Sequence, residues 1–334
     1  MIGRRIFVMA LALGLAACGG SKPVQTKDGL TPVSVRVEWL LSSYHAPFFL
    51  GIDKGFYKDA GIELTVNEGR GSVQAAQLVG SGQDQFGFGS VDAIMRGAGA
   101  GMPLMSVANI MPVMGQAVYV RTASPIQKLQ DLKGKSIAIT PGGANDSLVP
   151  LLLGNVGLKP GDVKLVSADP TAKIRVFLKG DVDAMIAPAW SHSLFDAGGG
   201  ARAFIFSDYG VKVVGYNIMA AKPLMQSDPD LVRRFVGATL KAWDYSRTHP
   251  DEALDALARH SPTNAEPKRR AGNAKDFANA LRFVGPAVPG KPYGFQSATD
   301  WEESQKLFVT HGVLTKTLPV DQMMTNDFVA PAAN

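Results

Sequence analysis

The chain has 334 residues, with 34 Lys and Arg against 29 Asp and Glu, a formal charge of +5 and a single cysteine. That charge is too weak and too dispersed to argue for a nucleic-acid partner, and the basic cluster Lys268-Arg269-Arg270 reads as a solvated helix face. One cysteine excludes an intramolecular disulfide, and thiolate zinc sites need several sulfur or imidazole ligands. No cofactor or metal is expected.

The N-terminus reads as a processing signal rather than as fold. Arg4 and Arg5 precede a short apolar run, Ile6 to Leu15, and then the small residues Ala16 and Ala17. A charged start, an apolar stretch and a small-residue cleavage region make a secretory signal. The run is shorter than the roughly 20 apolar residues that span a bilayer. Leu15-Ala16-Ala17-Cys18 resembles the bacterial lipobox, which implies cleavage after residue 17 and acylation of Cys18. Residues 18–32 are small, polar and broken by proline, and read as a flexible tether. The expected location is exported, lipid-anchored and facing the periplasm, or the cell surface in a Gram-positive organism.

The body alternates strand-like and helix-like segments. Strands are predicted at 33–40, 62–66, 85–90, 104–110 and 117–121, with helices at 46–60, 71–80 and 91–100 between them. A second series has strands at 136–140, 163–167, 184–187, 203–206 and 215–220, with helices at 145–156, 171–179 and 190–197. The remainder is helical. Ser227-Asp228-Pro229 starts a helix whose apolar residues Leu231, Val232, Phe235, Val236, Leu240 and Trp243 share one face. Three further helices follow, at 251–260, 271–284 and 299–309. Alternation of this kind argues for α/β sheets with mostly parallel strands. Two such blocks, about 33–121 and 122–216, joined without a long linker, predict two lobes with a cleft between them.

Ligands of open α/β sheets sit beyond the carboxyl ends of the strands. The residues there are Trp39, Ser43 and His45 after the first strand, Glu68 and Ser72 after the second, and Ser90 after the third. The second block contributes Asn145, Asp146 and Trp190, and the last strand Tyr216 and Asn217. Singly, each has a plain structural explanation. Together, aromatics, hydroxyls and carboxylates at the same end of successive strands have the composition of a small-molecule pocket.

The stretch from His45 through Pro47-Phe48-Phe49-Leu50 and Gly55-Phe56-Tyr57 to Gly61-Ile62 resembles the opening of periplasmic solute-binding proteins of the nitrate/sulfonate/taurine and thiamine-precursor type, the NMT1/THI5-like group. Phe86-Gly87 before Ser90-Val91-Asp92, Asp131-Leu132-Lys133-Gly134-Lys135 and Gly180-Asp181-Val182-Asp183-Ala184 fit the same pattern. The resemblance implies a type II periplasmic-binding-protein fold, each lobe a mostly parallel sheet flanked by helices. It implies a first lobe of 33–121 plus 217–334 and a second of 122–216, with crossings near Val120 to Ser124 and near Tyr216 to Ala221. It also implies an ABC permease and ATPase as partners, a small-molecule solute as cargo, and a monomeric binder. The function expected is capture and delivery, without catalysis.

Two carboxylates, Glu68 and Asp146, against one arginine, Arg70, argue for a neutral or amine-bearing ligand. Trp39, Trp190 and Tyr216 are suited to stacking a flat heterocycle. Ala187-Pro188-Ala189-Trp190 resembles a turn of the thiamine-precursor branch, although that branch often has an acidic residue where this chain has Asn217. A sulfonate, nitrate or taurine-type anion is the alternative cargo. The same group includes a pyrimidine synthase that uses pyridoxal phosphate and iron and carries a cysteine-rich motif, which a chain with Cys18 alone lacks. A lipoprotein that keeps the fold for signalling is the remaining alternative.

Overall fold

The computed structural model describes residues 29–329, apart from the side chains of residues 144, 145 and 197. Cys18 and most of the expected tether lie outside these residues. The tether ends earlier than expected, because Thr31 and Pro32 already pair with Ile62 and Glu63.

Among the described residues, ten strands form two sheets of five. They are β1 (Thr31–Arg36), β2 (Ile62–Asn67), β3 (Phe86–Ser90), β4 (Leu104–Asn109), β5 (Gln116–Arg121), β6 (Ser136–Ile139), β7 (Lys164–Ser167), β8 (Ala184–Pro188), β9 (Ala201–Ile205) and β10 (Tyr216–Ala221). The helices are α1 (Ala46–Asp53), α2 (Phe56–Asp59), α3 (Ser72–Gly80), α4 (Val91–Gly99), α5 (Ala144–Asn155), α6 (Pro170–Lys179), α7 (Lys222–Ser227), α8 (Pro229–Thr248), α9 (Pro250–His260), α10 (Pro262–Ala265), α11 (Pro267–Ala280) and α12 (Ala298–Thr310). The helix expected over 46–60 is two helices, because Gly55 takes the left-handed conformation at φ 74°. The segment expected as a helix at 190–197 is a 3-10 turn, His192–Gly198.

The first sheet has the order β2-β1-β3-β10-β4 and the second β7-β6-β8-β5-β9. In each, β1 with β2 and β3, or β6 with β7 and β8, pair in parallel. The strand delivered by a crossing runs against its neighbours: β10 in the first sheet and β5 in the second. Both sheets are therefore mixed, and the fold is α/β with two lobes.

The first crossing lies ahead of the expected position. Gln116–Arg121 pairs with β8 and β9, so the chain changes sheets over residues 110–115 rather than near 120–124. A strand's residue pattern predicts extension and burial but carries no label for the sheet it joins. The return crossing, residues 206–215, ends where β10 begins, and Tyr216 already pairs with Ser90 in the first sheet. The two crossings bind each other: Met114 N–H donates to Val213 O at 2.9 Å, and Gly215 N–H to Met111 O at 3.1 Å. Gly215 is needed there, since a Cβ would lie 2.5 Å from Met111 O.

Helices α8 and α9 of the helical tail pack on α1 of the first lobe, whereas α12 touches α5 of the second. Val232, Phe235, Val236 and Trp243 of α8 are buried, as their spacing predicts, and Phe235 stacks on Phe86 of β3 at 3.8 Å between ring centroids. Each such side chain contributes roughly 1.5–3 kcal/mol by leaving water. Phe86 and Phe88 alternate with Gly87 and Gly89, and a Cβ on either glycine would lie 2.8 Å from Met219 Cε. Glycine on that face of β3 lets β10 and α3 approach closely. From α9 the chain continues into α11, which touches both the 43–45 turn of the first lobe and the 192–198 turn of the second.

Candidate ligand-binding cleft

A cleft runs between the lobes, with walls drawn from both sheets and from α11. Strand β1 stops at Arg36, shorter than the run expected to 40, so Glu38 and Trp39 sit in a bend beyond the strand end. The bend is held from outside. Leu41 N–H donates to Glu68 Oε1 at 2.7 Å, and Arg36 donates to Glu68 O at 2.7 Å.

Glu38 is 3 % exposed and is fixed on both oxygens. Tyr44 O–H donates to Oε1. His45 Nε2 lies 3.2 Å from Oε2. Since His45 Nδ1 accepts from Ser42 N–H, the ring proton is on Nε2 and is donated to Glu38. Burial, and then the Glu38 charge, push the Tyr44 and Tyr216 hydroxyls well above the usual phenol range. Both hydroxyls stay protonated; Tyr44 donates to Glu38, whereas Tyr216 accepts from Gln116.

Aromatic rings line the adjoining wall. Tyr44 meets Trp190 edge-on at 5.0 Å and stacks toward Tyr216 at 6.2 Å. Gly115 permits this, because a Cβ there would lie 2.6 Å from the Trp190 ring. Two polar atoms of this wall are buried with no partner among the described residues: the donor Trp190 Nε1 and the acceptor Gln116 Oε1. Gln116 spends its amide N–H on Tyr216 Oη at 3.0 Å.

The second lobe contributes Lys173 in the first turn of α6, 3 % exposed. Its Nζ donates to Ile186 O at 2.9 Å and lies 4.9 Å from the Trp39 ring centroid. Burial lowers its pKa to about 7. From α11 come Arg269, Asn273 and Asp276, spaced along one helical face. Asp276 accepts from the backbone N–H and the hydroxyl of Ser193 in the second lobe, and burial raises its pKa to about 6.

Of the residues singled out from the sequence, Trp39, Ser43, Ser72, Trp190 and Tyr216 line the cleft. His45, Glu68, Ser90, Asp146 and Asn217 do not. His45 supports Glu38 from behind, and Glu68 braces the 37–41 bend. Ser90 N–H donates to Ser72 Oγ. Asp146 Oδ2 accepts from Gly142 N–H at 3.0 Å and fixes its own turn. Asn217 donates to Gly215 O and accepts from Asn109 at the crossings. The Asn145 side chain lies outside the described residues. Glu68 and Asp146 therefore cannot supply the negative charge expected of them in the cleft; Glu38 and Asp276 stand there instead.

Sequence reasoning missed Glu38, Lys173 and the α11 face. Glu38 was hidden inside an expected strand. Lys173 had a signal, a lysine on the apolar stripe with Pro170 and Phe177. Arg269, read as part of a solvated face, is half-buried at the cleft, whereas Lys268 is exposed.

Three comparisons set this geometry in context. The riboflavin-binding protein RibY of Chloroflexus aurantiacus is 22% identical over 349 residues, covering 98% of this chain and 99% of its own. The 4-amino-5-hydroxymethyl-2-methylpyrimidine phosphate synthase THI12 of Saccharomyces cerevisiae is 26% identical over 156 residues, 46% of this chain and 45% of its own. In fold, the chain is similar to the alkanesulfonate-binding protein SsuA of Xanthomonas axonopodis pv. citri, with a TM-score of 0.70 and 18% identity, over 88% of this chain and 98% of that one. The family model described as NMT1/THI5 like matches residues 42–253, and the chain belongs to that family.

Proposed function

We propose that the chain is the lipid-anchored solute-binding component of an ABC importer, and that it captures a small, flat, amine-bearing heterocycle between its lobes. The observation that carries this reading is a cleft whose walls come from both sheets, lined by aromatic rings and by the buried carboxylates Glu38 and Asp276. A ligand that touches both walls stabilises the closed arrangement, and only such differential contact shifts the lobes. Trp39, Tyr44, Trp190 and Tyr216 supply ring faces and edges for stacking. Glu38 accepts from an exocyclic amine, while Trp190 Nε1 and Gln116 Oε1 offer one donor and one acceptor to a ring edge. Closure presents the loaded form to a permease, and Cys18 keeps the binder at the membrane. No covalent chemistry is part of this reading.

A second reading, an anion of the sulfonate or nitrate type, draws on Lys173 and Arg269 in the same cleft. Calorimetric titration with aminopyrimidines, flavins, alkanesulfonates and nitrate separates the two. Binding of an aminopyrimidine or flavin at micromolar concentration, with no heat from the sulfonates or nitrate, is the expected result. Heat from sulfonates alone would replace the heterocycle reading with the anion reading, and heat from none of the probes would remove the transport reading. Lipidation is checked separately, by mass spectrometry of the membrane fraction with native Cys18 and with Cys18→Ser.

A further inference from the structure

We infer that Lys173 is a specificity-determining residue, which reads an accepting or anionic oxygen on the ligand edge that faces the second lobe. The inference deepens the heterocycle reading and rests on it. Lys173 lies on the buried face of α6 with Pro170 and Phe177, and its stem is held between the second sheet and the cleft. The ammonium has three protons to donate. One goes to Ile186 O, and the Trp39 face lies beside the group at 4.9 Å. Among the described residues no carboxylate forms an ion pair with Lys173, although buried lysines ordinarily have a partner.

The charged groups on the surrounding elements do not take that place. Glu38 is held by Tyr44 and His45, and Asp276 by Ser193. On α6 itself, Asp169 caps the helix by accepting from Thr171 and Ala172 N–H, and Arg175 carries the same charge as Lys173. Arg269 on α11 also carries the same charge, and His192 and Asp196 lie in the 192–198 turn. None of these groups moves the Lys173 pKa, which burial alone depresses. A buried, under-partnered ammonium facing a cleft is costly unless a ligand oxygen completes it. The donor end of the ring then meets Glu38 and the acceptor end meets Lys173, so the ligand class is an aminated ring that also carries a carbonyl or carboxylate oxygen.

The test titrates the full chain with 4-aminopyrimidine, with cytosine and with 4-aminopyrimidine-5-carboxylate. The native protein is expected to bind the two oxygen-bearing probes about tenfold or more tightly than the parent amine, as a charge-assisted hydrogen bond allows. Lys173→Met is expected to abolish that preference, the two oxygen-bearing probes losing about tenfold or more in affinity relative to the parent amine. A pH series adds a signature that a packing role would not give. Binding an oxygen favours the charged amine and raises its pKa. The preference is therefore full below about pH 7 and declines as pH rises above it, and the variant shows no such decline. Equal weakening of all three probes, or an unchanged preference in Lys173→Met, would overturn the inference and leave the heterocycle reading standing. If no probe binds the native protein, both fail. Should the variant not fold, the native pH series decides alone: a preference that is flat from pH 6 to 9 overturns the inference.

Discussion

The two walls of the cleft solve the problem of buried charge in opposite ways. On the first lobe, Glu38 has hydrogen bonds on both oxygens, from Tyr44 and His45 in the turn that immediately follows it. On the second lobe, Lys173 has one backbone oxygen and an aromatic face. The carboxylate is held ready before any ligand arrives, and the amine is left to be completed. A buried polar group costs about 1–3 kcal/mol when its partner is missing. On the function proposed above, the first wall is a rigid reader, while the second carries a cost that a matching ligand relieves.

The strongest way to break this contrast is to remove the rigid reader. Glu38→Ala leaves the Tyr44 hydroxyl and the His45 N–H without their acceptor. Affinity for an aminated ring is expected to fall about a hundredfold by calorimetry, and stability by about 1–3 kcal/mol in urea titration. Glu38→Gln, which can still accept one of these bonds, is expected to cost less on both counts. If Glu38→Ala bound the ring as well as the native chain, the first wall would not be the reader.

Asp276 sharpens the contrast, because it shows whether the face of α11 also carries a cost. Its folded pKa, about 6, lies above the ordinary 3.8, so the folded chain holds more protons than the unfolded one between these values. Stability through this group is thus highest at low pH and falls as pH rises from about 4 to 6, by at most about 3 kcal/mol. Asp276→Asn is expected to lack that part of the pH profile in urea titrations at pH 4, 5, 6 and 7. Identical profiles would mean that the carboxyl is not desolvated as described.

The smallest effect is expected at Gly71. It has a φ of 139°, and a Cβ there would lie 2.8 Å from Gly142 O on the opposite lobe. Val73 N–H donates to that same oxygen at 3.1 Å. Gly71→Ala is expected to hold the lobes slightly apart and weaken ligand binding about tenfold, on the order of 1.4 kcal/mol. Small-angle scattering of the variant with ligand is expected to give a larger radius than the native complex.

Much of this architecture was legible in the residues. Alternation and glycine stops located all ten strands, because side-chain period and turn chemistry are local properties. Which sheet a strand joins is not local, and Gln116–Arg121 was assigned to the wrong lobe for that reason. The site divided along the same line. Trp39, Ser72, Trp190 and Tyr216 line the cleft because they follow or begin strands whose ends face it. Glu68 and Asp146 also follow strands, yet nearby backbone N–H groups claim their oxygens. Asp276 reaches the cleft from a helix some two hundred residues further along the chain than the first-lobe wall, a distance no periodicity encodes.

The paired crossings decide how the molecule can move. Residues 110–115 and 206–215 hydrogen-bond to each other, and Asn109 is tied to Asn217 at their base. Two chain segments hydrogen-bonded side by side resist shear and stretch more than a common bend. The lobes are consequently tied like the covers of a book on one spine, with α11 touching both covers and Phe283, just beyond it, packed against that spine at Gly115.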